Sequence, residues 1–230
     1  MIISDRYRYI FFEVGKTGTS SVFQVLREHG EAETLEVSPV LGFNNTERSV
    51  YGKHIPPVRV QERLGNERFT DYFRFGFVRN PFDRLVSRYF YSKLAHKRYG
   101  SGEAAGPMTL QDVMLLCQFP RLGLVIKKGG SSDKHVQFRS LVWLDHDSQL
   151  GFLSDQDGNL LVNFVGRYER LQKDYDEVCA KLGLPQAELP WLNRTHHEHY
   201  SFYYTDETRA YVSDVYRDEL DRFGYYFSEV

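Results

Sequence analysis

The sequence predicts an α/β fold of three layers, a central parallel β-sheet flanked by helices. Three observations predict it. Apolar runs of strand length occur at Tyr9–Val14, Tyr72–Val78 and Leu160–Val165; each is followed by a segment of helical spacing; and the joints are built from glycine, proline and small hydroxyl residues. Strand–helix alternation of this kind gives a parallel sheet covered on both faces, with ligands at the carboxyl ends of the strands. The 230 residues suffice for one core, and we read residues 1–230 as a single domain.

The elements follow in order. Tyr9–Val14 is rich in aromatic and β-branched residues and is stopped by Gly15 and Gly18. From Ser20 or Ser21, either of which can cap, Val22, Phe23, Val25 and Leu26 keep helical spacing up to Gly30. A short strand is expected near Thr34–Val37, and Pro56–Leu64 reads as a helix entered through proline and closed by Gly65. Tyr72–Val78 alternates, with Phe73, Phe75 and Phe77 on one face, and runs into Asn80 and Pro81, a cap and a first helical residue. Gly100–Pro107 is a glycine-rich exposed loop suited to a lid or an insertion. Thr109–Gln118 is a threonine-capped helix, and the basic loop Lys127–Gly130 precedes a stretch of mixed period, Asp133–Leu144. Gln156–Asn159 is a turn before the third strand. Arg170–Leu182 is a helix closed by Gly183, and a last helix spans Thr205–Phe223. Tyr200, Phe202, Tyr203 and Tyr204 are expected mainly to pack that helix against the sheet.

Composition narrows the partners. Lys plus Arg (29) nearly balance Asp plus Glu (31), so no overall basic field draws nucleic acid or an anionic membrane, and any anion site must be local. Cys117 and Cys179 form no C-x-x-C and read as buried thiols of a reducing compartment, which fits a cytoplasmic setting. The run within MIISDRYRYIFFEV is too short for a signal-peptide core or a membrane span.

Two motifs carry chemistry. Gly15-Lys16-Thr17-Gly18-Thr19-Ser20-Ser21 joins the first strand to a helix. Small residues let backbone N–H groups close around a phosphate at a helix N-terminus, and Lys16 and the hydroxyls add charge and donors. The alternative is an ordinary strand-to-helix turn with solvated hydroxyls. A Walker A loop does not fit, since its leading glycine would fall at Ile10. In Arg79-Asn80-Pro81-Phe82-Asp83-Arg84-Leu85-Val86-Ser87, an arginine at a strand end and a serine two turns into the next helix can grip a second phosphate. Here the alternative is an Arg79–Asp83 salt bridge at the helix start.

Together these motifs resemble the 5′-phosphosulfate loop and the 3′-phosphate motif of sulfotransferases that use 3′-phosphoadenosine 5′-phosphosulfate (PAPS). Phe164-Val165-Gly166-Arg167-Tyr168-Glu169-Arg170-Leu171 is similar to the F-x-G-R-x-E-x-L block of the carbohydrate and membrane-type branch, and the region from Asn193 through Tyr203-Tyr204-Thr205 to Phe223-Gly224-Tyr225 resembles its C-terminal part. The resemblance covers most of the chain and implies a P-loop-like fold. It implies that Lys16 meets the 5′-phosphate and bridging oxygen, that Gly18, Thr19 and Ser20, within a loop that includes Thr17 and Ser21, hold the 5′-phosphate, and that Arg79 and Ser87 hold the 3′-phosphate. Tyr168 falls where related enzymes place an adenine-contacting tyrosine. Gly15 stands where the family often has proline. Ser21 stands where the cytosolic branch has an adenine-stacking tryptophan, so the loop itself does not provide the adenine pocket.

The implied reaction moves a sulfuryl group from PAPS to an acceptor hydroxyl of a saccharide or small metabolite, releasing adenosine 3′,5′-bisphosphate (PAP), with no metal. A general base is needed. His54 resembles the histidine between the two phosphate motifs of many members, and an imidazole's ordinary pKa of about 6.5 suits the task; a surface histidine is the competing reading, and His135 and Glu13 are the reserve candidates. His196, His197 and His199 lack the further ligands a zinc site needs and read as solvated or acceptor-lining. Two other functions remain open: a kinase or NTPase of P-loop type, which predicts magnesium and ATP dependence, and a non-catalytic nucleotide- or saccharide-binding module, which needs no base.

Overall fold

A computed structural model describes residues 1–28, 54–92, 106–118, 148–192 and 197–229. The expected strand at Thr34–Val37, the loop Lys127–Gly130 and the segment Asp133–Leu144 lie outside these residues, as does all but the end of the Gly100–Pro107 loop.

Four strands form one sheet in the order β1 (Ile2–Ser4), β2 (Tyr9–Phe12), β3 (Phe73–Val78) and β4 (Phe164–Arg167). β2, β3 and β4 are parallel, with Phe11 opposite Phe75 and Phe77 opposite Gly166. The sheet is nevertheless mixed rather than wholly parallel, because β1 pairs antiparallel with β2, Ile3 opposite Ile10. Ile2 and Ile3 are buried by that pairing, which sequence reading did not anticipate. The third strand is also displaced from Leu160–Val165 to Phe164–Arg167. Leu160, Leu161 and Val162 are apolar because they pack on the core, while their backbone is held irregularly by Leu161 N–H to Leu153 O (2.8 Å) and a Ser154–Leu160 bridge.

Helices cover both faces. On one, Tyr9, Phe11, Phe75 and Phe77 pack against α1 (Thr19–Glu28) and against Tyr175, Val178 and Cys179, which belong to a later helix described below. On the other, Ile10, Phe12 and Val78 meet Val60 of α2 (Pro57–Leu64), Phe69 of α3 (Asn66–Thr70) and Phe152 and Leu153, which lie further along the chain. α4 (Pro81–Tyr91) follows β3, entered through Pro81 and capped by Asn80 Oδ1, which accepts from Phe82 N–H at 3.1 Å. α5 (Leu110–Gln118) is capped by Thr109, and α6 (Gln149–Leu153) by Ser148. A 3₁₀ turn, Tyr168–Arg170, leads from β4 to α7 (Leu171–Leu182), which ends at Gly183 in the left-handed conformation. The expected last helix, Thr205–Phe223, is two helices: α8 (Asp206–Val215) and α9 (Arg217–Phe223), separated at Tyr216. Tyr216 is buried against α4 and α5, and the break lets α9 turn toward α6. Tyr200 and Tyr203 are buried in that same α4–α5–α8 cluster rather than against the sheet, and Phe202 is exposed.

One glycine decides the packing of β4. A Cβ on Gly166 would lie 2.4 Å from two ring carbons of Phe77 and 3.2 Å from Cβ of Asp174. Gly166→Ala is therefore expected to destabilise the protein by about 1–3 kcal/mol, the cost of overpacking a filled core, which denaturant unfolding would measure. Among the described residues no helix is long and apolar enough to cross a membrane.

Candidate functional site

Because β2, β3 and β4 are parallel and in register, their carboxyl ends lie side by side, and each hands over at that edge to a segment carrying polar residues. β2 leads into residues 13–18 and α1, β3 into Arg79 and α4, and β4 into Tyr168 and α7.

In the first loop, Lys16 (φ +69°) and Gly18 (φ +74°) take the left-handed conformation on either side of Thr17. At Lys16 this costs about 1–2 kcal/mol. Alternating handedness curls successive N–H groups toward a common point, an anion nest, and the dipole of α1 adds to it. The carbonyls of the loop are claimed by a side chain of the loop itself and by two arginines from outside it. Thr17 Oγ1 donates to Val14 O (3.0 Å), Arg84 Nε to Gly15 O (3.1 Å) and Arg79 Nη1 to Lys16 O (3.4 Å). Gly18 is required for a second reason: a Cβ there would fall 2.6 Å from Leu171 Cδ2 and 3.1 Å from Tyr168 Cδ2. Thr19 and Ser21 are buried and Ser20 is half-buried in the first turn of α1.

Arg79 is buried and fixed through its own backbone. Its N–H donates to Gln149 Oε1 and its C=O accepts from Gln149 Nε2, both at 2.8 Å. Gln149 in turn is held by Glu219, whose carboxylate accepts from the Gln149 backbone N–H (2.6 Å) and side-chain amide and from Ser148 Oγ (3.0 Å). The Arg79 guanidinium donates from Nε to Asp83 Oδ2 at 2.7 Å, and its carbon lies 4.0 Å from the centre of the Tyr168 ring. The helix-start ion pair and the approach to the first loop thus coexist, through different nitrogens. Ser87 is buried on α4. Glu169 accepts from Asn80 N–H (2.7 Å) and from Tyr225 OH (2.8 Å). Burial, with the Glu169 charge beside it, pushes the Tyr225 phenol upward, so it stays protonated and donating.

His54 precedes α2 and is exposed. Its Nδ1 lies 2.6 Å from Glu13 O; a carbonyl only accepts, so Nδ1 carries the proton and the lone pair of the neutral ring is on Nε2. Glu13's own carboxylate is buried in a pair with the α-amino group of Met1. His135 and His196 lie outside the described residues. His197 stacks on Phe90 (5.2 Å between ring centres) and His199 caps the 3₁₀ turn Tyr200–Tyr203. Among the described residues no three His, Cys, Asp or Glu side chains cluster as metal ligands would.

Sequence reading passed over several residues. Arg84, only 2% exposed, sits inside the second motif but was assigned no role, though it bonds the first loop. Tyr91, 68% exposed, has its ring centre 4.1 Å from Lys16 Nζ. Glu169 lay within the third block, and its acidity was the available signal. Gln149 and Glu219 carry no sequence signal, since only the fold brings them to Arg79.

A mixed sheet covered by helices, with two buried arginines from the segment after β3 bonding the loop after β2, defines an α/β protein whose polar residues gather at the carboxyl edge of its parallel strands. Its family can be stated more narrowly. Residues 1–226 match the family model described as "Sulfotransferase family", and the chain belongs to the sulfotransferase family. It is 25% identical over 233 residues to human (Homo sapiens) carbohydrate sulfotransferase 14, covering 94% of this chain and 56% of that protein, and 26% identical over the same length, with the same coverage, to the Mus musculus protein of that name. An uncharacterized protein of Archaeoglobus fulgidus is 26% identical over 137 residues, 57% of this chain and 85% of its own length. The chain thus spans about half the length of the carbohydrate sulfotransferases it matches. No solved structure matches.

Proposed function

We propose that the chain is a PAPS-dependent sulfotransferase of P-loop-like fold acting on a saccharide hydroxyl. The observation that carries this reading is the convergence of two phosphate-type motifs, 63 residues apart at Lys16 and Arg79, on one edge of the sheet. The acceptor class follows the names of the relatives.

The residues fit the donor. The nest at Lys16–Gly18, with the first turn of α1 at Thr19, Ser20 and Ser21, would hold the 5′-phosphate, and Arg79 and Ser87 the 3′-phosphate. PAPS supplies the sulfuryl group: the bond from acceptor oxygen to sulfur forms as the bond to the 5′-phosphate oxygen breaks, and that oxygen keeps the electron pair. His54 takes the acceptor hydroxyl proton at Nε2, its ring held by the Glu13 carbonyl three residues before Lys16. The Lys16 ammonium and the nest N–H groups balance the charge that develops on the phosphate side. Asp83 and Tyr168 orient the Arg79 guanidinium.

Thermal shift separates this reading from a kinase or NTPase. PAP without magnesium should raise the melting temperature more than ATP with magnesium does, since a ligand bound only by the native state stabilises it. The reverse ranking would favour a kinase or NTPase.

A further inference from the structure

The second motif reaches across the sheet edge through a residue that has no place in the phosphate assignments. Arg84 stands in the first turn of α4, its N–H donating to Asn80 O at 2.8 Å, with only 2% of its surface exposed. Phe82, Leu85 and Val86 around it are buried as well, so the stretch of helix that launches the side chain is fixed. From there Arg84 Nε donates to Gly15 O at 3.1 Å, across 69 residues of sequence. Arg79, from the same motif, donates from Nη1 to the next carbonyl, Lys16 O, at 3.4 Å, and bonds Asp83 through Nε.

Among the described residues every peptide bond is trans, and across a trans peptide the C=O of one residue and the N–H of the next point in opposite directions. Holding Gly15 O therefore aims the Lys16 N–H to the far side of the loop, and holding Lys16 O does the same for the Thr17 N–H. Both belong to the nest, and Lys16 takes the left-handed conformation that a lysine adopts only where its surroundings enforce it. The two arginines are not equivalent. Arg79 is shared with Asp83 and Tyr168, and its bond to the loop is long. The bond from Arg84 is shorter and comes from the more deeply buried side chain. We propose that Arg84 is the positioning residue of the first loop: it belongs to the second motif by sequence and serves the first by structure, fixing the Gly15–Lys16 peptide so that its N–H faces the donor's 5′-phosphate. This assignment rests on the reading of the loop as the 5′-phosphate site. Ser87 lies three residues on, on the same face of α4, so the two roles separate only with ligands that carry one phosphate each.

The test uses the full chain and three ligands, PAP, adenosine 5′-monophosphate and adenosine 3′-monophosphate, titrated calorimetrically. Arg84→Met, which keeps an unbranched stem and removes the donor, should weaken PAP and the 5′-monophosphate by about tenfold, the order of one hydrogen bond from a charged group, and leave the 3′-monophosphate within about twofold of wild type. Arg84→Lys, which keeps a charged donor, should recover most of that loss. Should Arg84→Met not fold, Arg84→Gln carries the same expectation, since its shorter amide does not reach Gly15 O. An unchanged affinity for the 5′-monophosphate, or an equal loss for both monophosphates, would overturn the assignment. A loss confined to the 3′-monophosphate would overturn it too, and would make Arg84 a ligand of the second phosphate. Each of these leaves the donor reading intact, whereas failure of the wild type to bind PAP at all would overturn both.

Discussion

Replacing His54 by alanine is expected to lower turnover by about 10²–10⁴-fold, the usual contribution of a positioned general base, while PAP binding stays within about twofold of wild type on the same scale. The separation follows from geometry. His54 touches the Glu13 carbonyl and lies before α2, whereas the groups proposed to hold the phosphates belong to the loop after β2, to Arg79 and to α4. Removing the ring therefore takes away the proton acceptor and leaves the nest in place. The measurement is transfer of labelled sulfate from PAPS to a panel of saccharides, paired with calorimetric binding of PAP. Wild-type turnover in the variant would dismiss His54 as the base and return attention to His135.

Lys16→Ala carries the second large effect, a fall in kcat of about 10²–10³-fold, as for the loss of one preorganised group facing developing charge. Alanine accepts the left-handed backbone no worse than lysine, so the loop should keep its shape, and a melting temperature close to wild type would verify that. The kinetic pattern is diagnostic. A raised KM for PAPS with kcat unchanged would mean that Lys16 binds the ground state only, whereas a loss in kcat places it at the transition state. The cation–π contact with Tyr91 disappears in this variant too. Tyr91 is exposed, and such a contact contributes only about 0.5–1 kcal/mol, too little to produce the expected loss.

The parts legible in the sequence are those whose residue types answer to local physics. Asn80 and Pro81 start a helix wherever they stand before one, and the alternation of Phe73, Phe75 and Phe77 puts three rings on one face. The loop at Gly15–Ser21 was readable because its glycines, hydroxyls and lysine exceed what a turn requires. What escaped depends on tertiary context. β1 spans three residues, too few to show a period, and exists through its pairing with β2. Leu160–Val162 look like a strand because burial selects apolar residues regardless of backbone conformation. The break at Tyr216 has no glycine or proline to announce it. In the site, lysine and arginine advertise an anion; a lone glutamine and a lone glutamate advertise nothing, although Gln149 and Glu219 fix the backbone of Arg79.

That buried amide–carboxylate pair also sets the order in which the molecule can become competent. Both phosphate-type motifs are made early, within the first 87 residues, yet the strand end that presents Arg79 is secured by a glutamine 70 positions later and a glutamate 70 beyond that. During synthesis Glu219 must therefore emerge before the edge that presents Arg79 can set, and a nascent fragment bearing both motifs does not yet have that edge secured. Any lesion that prevents α9 from docking is felt 140 residues earlier, at the backbone of Arg79.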